Sequence, residues 1–206
     1  MNRLLILTWI FLSGCVSIPE IATKETRFVT KVYLSEFNDV ASQYIPKPTF
    51  ATLISYPNGE GPDSLSYIAD AYGSSYNQYI GVTKNKIGFH VQHTKALEFV
   101  SSINKFLEWS KTATQNGDAF TKDIADIYYD AESVGGISVY YKLTFHSGNQ
   151  EQHYLLVKSC SYSRMTNEIC YGNTALTPES SLELKSEINK FLAGEIVQRD
   201  IASKYN

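Results

Sequence analysis

The sequence predicts an α+β protein, strand-rich and antiparallel, in which a ββββα unit occurs twice and two long amphipathic helices close the units. Three observations lead there. Short segments of alternating apolar and polar residues recur between turn-forming residues, which is the period of half-buried strands. Two longer segments carry apolar residues at helical spacing. The two helical segments are also related to each other. Leu97 to Leu107 and Leu182 to Leu192 are identical at eight of eleven positions, at an offset of 85, and both contain Ile-Asn-Lys-Phe-Leu. A match at a fixed offset after a similar run of strands reads as internal duplication.

Phe28 to Leu34 is the first candidate strand. Ser35 is placed to cap a short helix through about Tyr44, ended by Pro46 and Pro48. Thr49 to Tyr56 reads as a strand, and the stretch from Pro57-Asn58-Gly59 to Pro62 is turn chemistry. Ser64 to Tyr72 is a strand ended by Gly73-Ser74-Ser75. Tyr76 to Thr83 and Lys86 to Val91 read as a hairpin around Lys84-Asn85. Thr94 is positioned to cap a helix from Lys95 to Asn116, with Gly117 as its stop. Ala96, Phe99, Val100, Ile103, Phe106, Leu107 and Ser110 form its apolar stripe. A stripe of that kind serves a core more often than a cofactor.

The second half repeats the order. Lys122 to Asp130 is a weak strand. Ile137 to Phe145 is a strong one, with Ile137, Val139, Tyr141, Leu143 and Phe145 on one face. Ser147-Gly148-Asn149 turns the chain into Gln152 to Cys160. Ile169 to Leu176 follows a loop near Met165, then Thr177-Pro178 starts a helix that runs to about Ala193, before Gly194. The halves are residues 28–117 and 118–206, which could also form one compact domain, 28–206.

Composition narrows the function. The chain has 206 residues and a formal charge of −3, with no block of Lys and Arg. Nucleic-acid binding needs clustered cations, so that class is excluded. The three cysteines are Cys15, Cys160 and Cys170. A hairpin centred near Met165 would set Cys160 opposite Cys170 for a disulfide, which requires an oxidising compartment. Neither a metal nor a redox motif competes, because no CxxC spacing is present.

Cys15 belongs to a different pattern. Arg3 supplies a positive start, Leu4 to Leu12 is apolar except for Thr8, and Ser13-Gly14 precede the cysteine. The apolar run is too short for a membrane span, which takes roughly 20 residues. Leu12-Ser13-Gly14-Cys15 resembles the lipobox of bacterial lipoprotein precursors. The resemblance covers residues 1–16 only. It implies cleavage of the signal peptide, 1–14, lipid on the Cys15 sulfur, acylation of its freed amine, palmitate being one such acyl group, and a tether over 15–27. The residues after Cys15 are Val16 and Ser17, with no aspartate to favour the inner membrane. The implied location is therefore the outer membrane, facing the periplasm. Two or more acyl chains hold stably where one holds only marginally.

No catalytic signature follows. GxSxG, HExxH, P-loop and GxGxxG patterns are absent, and Gly135-Gly136 precedes a strand rather than a helix. His90, His93, His146 and His153 form two pairs with nothing in the sequence to unite them, so no metal site is expected. His146 and His153 flank one turn and could face each other. Asp123 with Asp126 could serve acid–base chemistry only inside a cleft. Tyr56, Tyr67, Tyr72, Tyr76 and Tyr79 crowd one region, and such rings suit half-buried strands or partner contacts. The sequence thus favours a non-catalytic binding or assembly module without cofactors, its partners the membrane through Cys15 and an envelope protein. A carrier of a small hydrophobic ligand and a hydrolase with a dispersed site are the alternatives.

Overall fold

The computed structural model describes residues 23–59, 61–77, 81–129, 137–163 and 167–196. The signal peptide, Cys15, most of the tether, Met165 and Gly135-Gly136 lie outside them. Ten strands and two helices occur in the order β1 (Lys24–Phe28), β2 (Leu34–Asn38), β3 (Gln43–Lys47), β4 (Thr49–Ser55), β5 (Ser64–Asn77), β6 (Gly81–Gln92), α1 (Ala96–Asn116), β7 (Thr121–Tyr128), β8 (Ile137–Ser147), β9 (His153–Ser163), β10 (Ile169–Leu176) and α2 (Pro178–Leu192). They form a four-stranded sheet, β1-β4-β5-β6, and a six-stranded sheet, β3-β2-β10-β9-β8-β7, antiparallel throughout.

This corrects the α+β expectation of duplicated ββββα units with two long helices. Among the described residues, 53% are strand and 25% helix, so the protein is mostly antiparallel β. Only α1 is long, at 21 residues, while α2 has 15. The strands outgrow their sequence bounds, β5 reaching 14 residues and β6 12. The sheets are also unequal, because the β2–β3 hairpin leaves its neighbours in the chain and pairs with β10 through Ser35 and Ala175.

That hairpin replaces the helix expected from Ser35 to Tyr44. Leu34 and Ser35 are buried, and the Asn38 carboxamide accepts the Ala41 N–H at 2.8 Å to close the turn. Asn in this role competes with helix formation. Pro46 is tolerated because β3 is an edge strand. Two further expectations move. Gly73-Ser74-Ser75 is not a hairpin turn but lies at an irregularity within β5, where Gly73 takes φ +78°, and the β5–β6 connection falls after Asn77 instead of at Lys84-Asn85. Thr94 sits in a 3-10 turn, His93–Lys95, so α1 begins at Ala96 without a side-chain cap. The reading of 15–27 as tether meets a strand at its end, since Lys24–Phe28 pairs with β4.

Other local signals hold. Gly117 ends α1 in the left-handed region, at φ +69°, and the Asp118 N–H reaches the Ala113 carbonyl at 2.9 Å. The Thr177 hydroxyl accepts the Ser180 N–H at 3.2 Å, with Pro178 in the first turn. The α1 stripe buries Ala96, Phe99, Ile103, Phe106 and Ser110.

One apolar core joins both sheets and both helices. Its centre is aromatic: Phe89 lies 5.6 Å from Tyr67, 6.1 Å from Phe99 and 6.3 Å from Tyr141, and Phe106 lies 5.9 Å from Phe145. Each such pair contributes about 0.5–1.5 kcal/mol beyond area burial. Glu187 of α2 is buried beside this core. Its carboxylate accepts from the Tyr67 hydroxyl at 2.9 Å, the Thr30 hydroxyl at 2.9 Å and the Lys31 N–H at 3.3 Å. The contact ties α2 to β5 and to the chain before β2.

Candidate functional site

Strands β8, β9 and β10 are buried at one end and exposed at the other. At the covered end Leu143, Phe145, Leu155, Val157 and Leu176 are buried. At the far end Ile137, Val139, Ile169 and Tyr171 are 46, 42, 40 and 65% exposed. Register places them together: Val139 lies opposite Ser161 and Ser161 opposite Ile169, while Tyr141 lies opposite Ser159 and Ser159 opposite Tyr171. Strand alternation puts all four on the face that carries Tyr141 into the core. The reverse face holds Tyr162, 51% exposed, and Tyr128, 50% exposed. The projecting end is therefore a blade with apolar surface on both sides.

A cross-strand row braces it. Tyr128, Tyr140, Cys160 and Cys170 are successive partners across β7, β8, β9 and β10. Cys160 and Cys170 form a disulfide, with their Cα atoms 4.0 Å apart. Tyr128 and Tyr140 pack at 4.8 Å between ring centroids. Glu168 lies over this row. It accepts from the Tyr140 hydroxyl and from the Lys142 ammonium, at 2.8 Å, and the Lys142 hydrogen bond followed by that of Tyr140 lowers its pKa. Lys142 is raised by the same hydrogen bond. A Glu168 oxygen and the two sulfurs lie within 4.8 Å of one another. Sulfurs spent in a disulfide are not thiolate ligands, so the group does not make a metal site.

The histidines do not converge. His146 lies opposite Tyr154, whereas His153 lies opposite Ser147, so the two occupy opposite faces and do not meet as the turn suggested. His146 bonds the Thr121 hydroxyl at 2.9 Å and sits 6.0 Å from the Tyr44 ring. His153 is held between the Ser147 hydroxyl at 2.9 Å and the Thr114 hydroxyl at 3.1 Å, and stacks on Phe145. His90 donates its backbone N–H to the Tyr141 hydroxyl at 2.8 Å, and His93 packs on Phe191. Burial lowers the pKa of His90, His146 and His153, with Lys158 adding to the shift of His146.

Asp123 and Asp126 lie opposite Thr144 and Lys142 on the outer face. Asp123 accepts from the Thr144 hydroxyl at 2.8 Å, while Asp126 is raised by burial and by Glu168 and Asp123, against the pull of Lys142. Of the tyrosine crowd, Tyr67 is in the core and Tyr72 lies under the Lys47 ammonium at 3.0 Å, while Tyr79 and the Tyr76 side chain lie outside the described residues. Sequence reasoning missed Glu168 and Tyr171, whose positions follow only from register. Ile137 and Val139 were visible as strand residues, but their exposure was not.

No protein-family model matches this chain, and no curated protein or solved structure matches it.

Proposed function

We propose that this protein is a bacterial envelope lipoprotein, held by lipid on Cys15 in the outer membrane and facing the periplasm, whose β domain is a non-catalytic binding module for an envelope protein. The observation that supports a binding role is the blade: two exposed apolar pairs on one face, Ile137 with Val139 on β8 and Ile169 with Tyr171 on β10, flank Ser159 and Ser161 of β9, which the Cys160–Cys170 bridge ties to β10. Exposed apolar residues that adjoin one another mark interaction surfaces, whereas scattered ones do not. The disulfide agrees with an oxidising compartment. No described helix is long and apolar enough to cross a membrane.

A hydrolase would need acid–base groups to converge in a cleft, and the His93, His146 and His153 side chains are instead tied to hydroxyls or rings. An interior carrier site would need space where Phe89, Phe99, Tyr141 and Phe145 pack on one another and their neighbours. The test is photo-crosslinking in intact cells from a benzophenone amino acid placed at Val139, Ile169, Tyr171 or Leu182. Leu182 is 57% exposed on α2 and serves as the control. One adduct shared by the three blade positions and missing at Leu182 is the expected result. Equal adducts at all four, or none at the blade, would defeat the binding role.

A further inference from the structure

A second surface lies at the edge of the other sheet, where β1 meets the end of α2. A groove of about 680 Å³ opens there, with Arg27, Phe28, Val29, Phe50, Lys190 and Ile196 among its lining residues. Val29 is 95% exposed and Phe50 55% exposed. Phe28 and Ile196 are partly buried and pack on the core, so the apolar floor is firm. Arg27 and Lys190 supply positive charge, with Glu195 the one acidic lining residue among the described residues. Apolar side chains beside cations match a lipid surface that offers acyl chains below phosphates.

Chain length supports the same occupant. Cys15 precedes β1 by nine residues, which extend to roughly 30 Å at most. A domain held that closely keeps the β1 edge near the bilayer that carries the anchor, which raises its effective concentration there.

We propose that this groove is a membrane-contact site that seats the domain on anionic phospholipid, with Val29 and Phe50 entering the acyl boundary and Arg27 and Lys190 meeting the phosphates. The proposal rests on the lipid-anchor reading of Cys15. It adds an orientation: the β1 edge lies on the membrane, and the domain does not swing freely on its tether.

The test uses the full lipidated chain, reconstituted into phosphatidylcholine vesicles with and without phosphatidylglycerol. Nitroxide labels are attached at Val29→Cys or, as control, at Val40→Cys, which replaces a 98% exposed residue of the β2–β3 turn. The Val29 label should be shielded from an aqueous nickel chelate and exposed to oxygen dissolved in the lipid, only when phosphatidylglycerol is present. The Val40 label should stay aqueous. Arg27→Gln should lower the seated population relative to the free one about fivefold, the weight of one basic residue at an anionic surface.

Flotation with Val29 as aqueous as Val40 would sink the groove and leave the anchor standing. Failure to float would remove the anchor, and this proposal with it. Shielding that is equal on neutral vesicles would refute the anionic requirement. Immobilisation of the Val29 label without vesicles, relieved by ending the chain after Ile196, would assign the groove to the C-terminal residues and overturn the proposal.

Discussion

The two ends of the six-stranded sheet share strands β8, β9 and β10 yet have opposite fates. Phe145 and Leu143 are fully buried, whereas Val139 and Ile137, on the same face of the same strand, are 42 and 46% exposed. Alternation is identical at both ends. The difference is cover: Phe106 packs on Phe145 from α1, while Ile137 and Val139 stand open to solvent. Alternation assigns a residue to a face, and only the tertiary layers decide whether that face is dry. One end should then govern stability and the other binding.

The largest effect should come from the covered end. Phe145→Ala should destabilise the fold by about 3–5 kcal/mol, the usual cost of emptying an aromatic core position. It would strip ring contacts to Phe106, Trp109, Phe120 and His153. Urea denaturation followed by tryptophan fluorescence measures the change. A loss below about 1 kcal/mol would mean that the covered end is not the stability centre.

Next comes the bridge between the two ends. Replacing Cys160 and Cys170 by serine should cost about 2–3 kcal/mol, since the bridge closes a short loop in the unfolded chain. The local effect separates the regions more sharply. Amide exchange should accelerate around Ser161 and Ile169, beyond the bridge, and change little around Leu143 and Leu155. Uniform acceleration would mean that the sheet opens as a single unit and that the bridge does not specifically hold the blade.

How much of this was legible follows from the same contrast. β4, β8 and β10 were readable because each carries its period locally, and the α2 start because Thr177-Pro178 is a local signal. The β2–β3 hairpin was not. Leu34, Phe37, Ala41 and Tyr44 suit a helix as well as they suit strands, and the choice falls to pairing with β10, far along the chain. Counting helices also misled the fold class, because a helix stripe stands out in sequence while the extra length of β5 and β6 sits in polar, glycine-bearing segments. Of the candidate site, the cysteine pairing was readable from spacing. Glu168 was not, since only register carries it to Tyr140 and Lys142. Nor was the buried Glu187, whose partners Thr30 and Tyr67 lie in distant segments.

Acid should separate the ends by a smaller margin. His90, His146 and His153 are held below the usual histidine pKa, chiefly by burial, so the unfolded chain binds more protons than the folded one as pH falls. Their stabilising contribution is complete above the unfolded value of about 6.5 and is lost as pH drops through and below it. Glu168, lowered by Lys142 and Tyr140, loses its contribution only in the more acidic range, below about pH 4.3. Between pH 7 and 5 the melting temperature should therefore fall, and His153→Gln should flatten that fall. At neutral pH the same change should cost about 1 kcal/mol for its two hydroxyl contacts. An unchanged acid slope in the variant would remove His153 from the account.

The smallest expected effect on stability carries the most weight for function. Ile169→Ser with Tyr171→Ser removes apolar surface that already faces water, so unfolding should shift by less than about 0.5 kcal/mol. Crosslinking from Val139, two strands away on the same face, should nevertheless collapse, because the partner would lose half of the apolar side chains that exclude water around it. The pair of readouts matters more than either alone. Loss of both stability and crosslinking would make Ile169 and Tyr171 packing residues whose exposure misrepresents their role. Retention of both would mean that whatever meets Val139 does not depend on Ile169 and Tyr171, and would defeat the blade as a single binding surface. Only a stable fold with abolished crosslinking fits a sheet whose covered end supports it and whose projecting end binds.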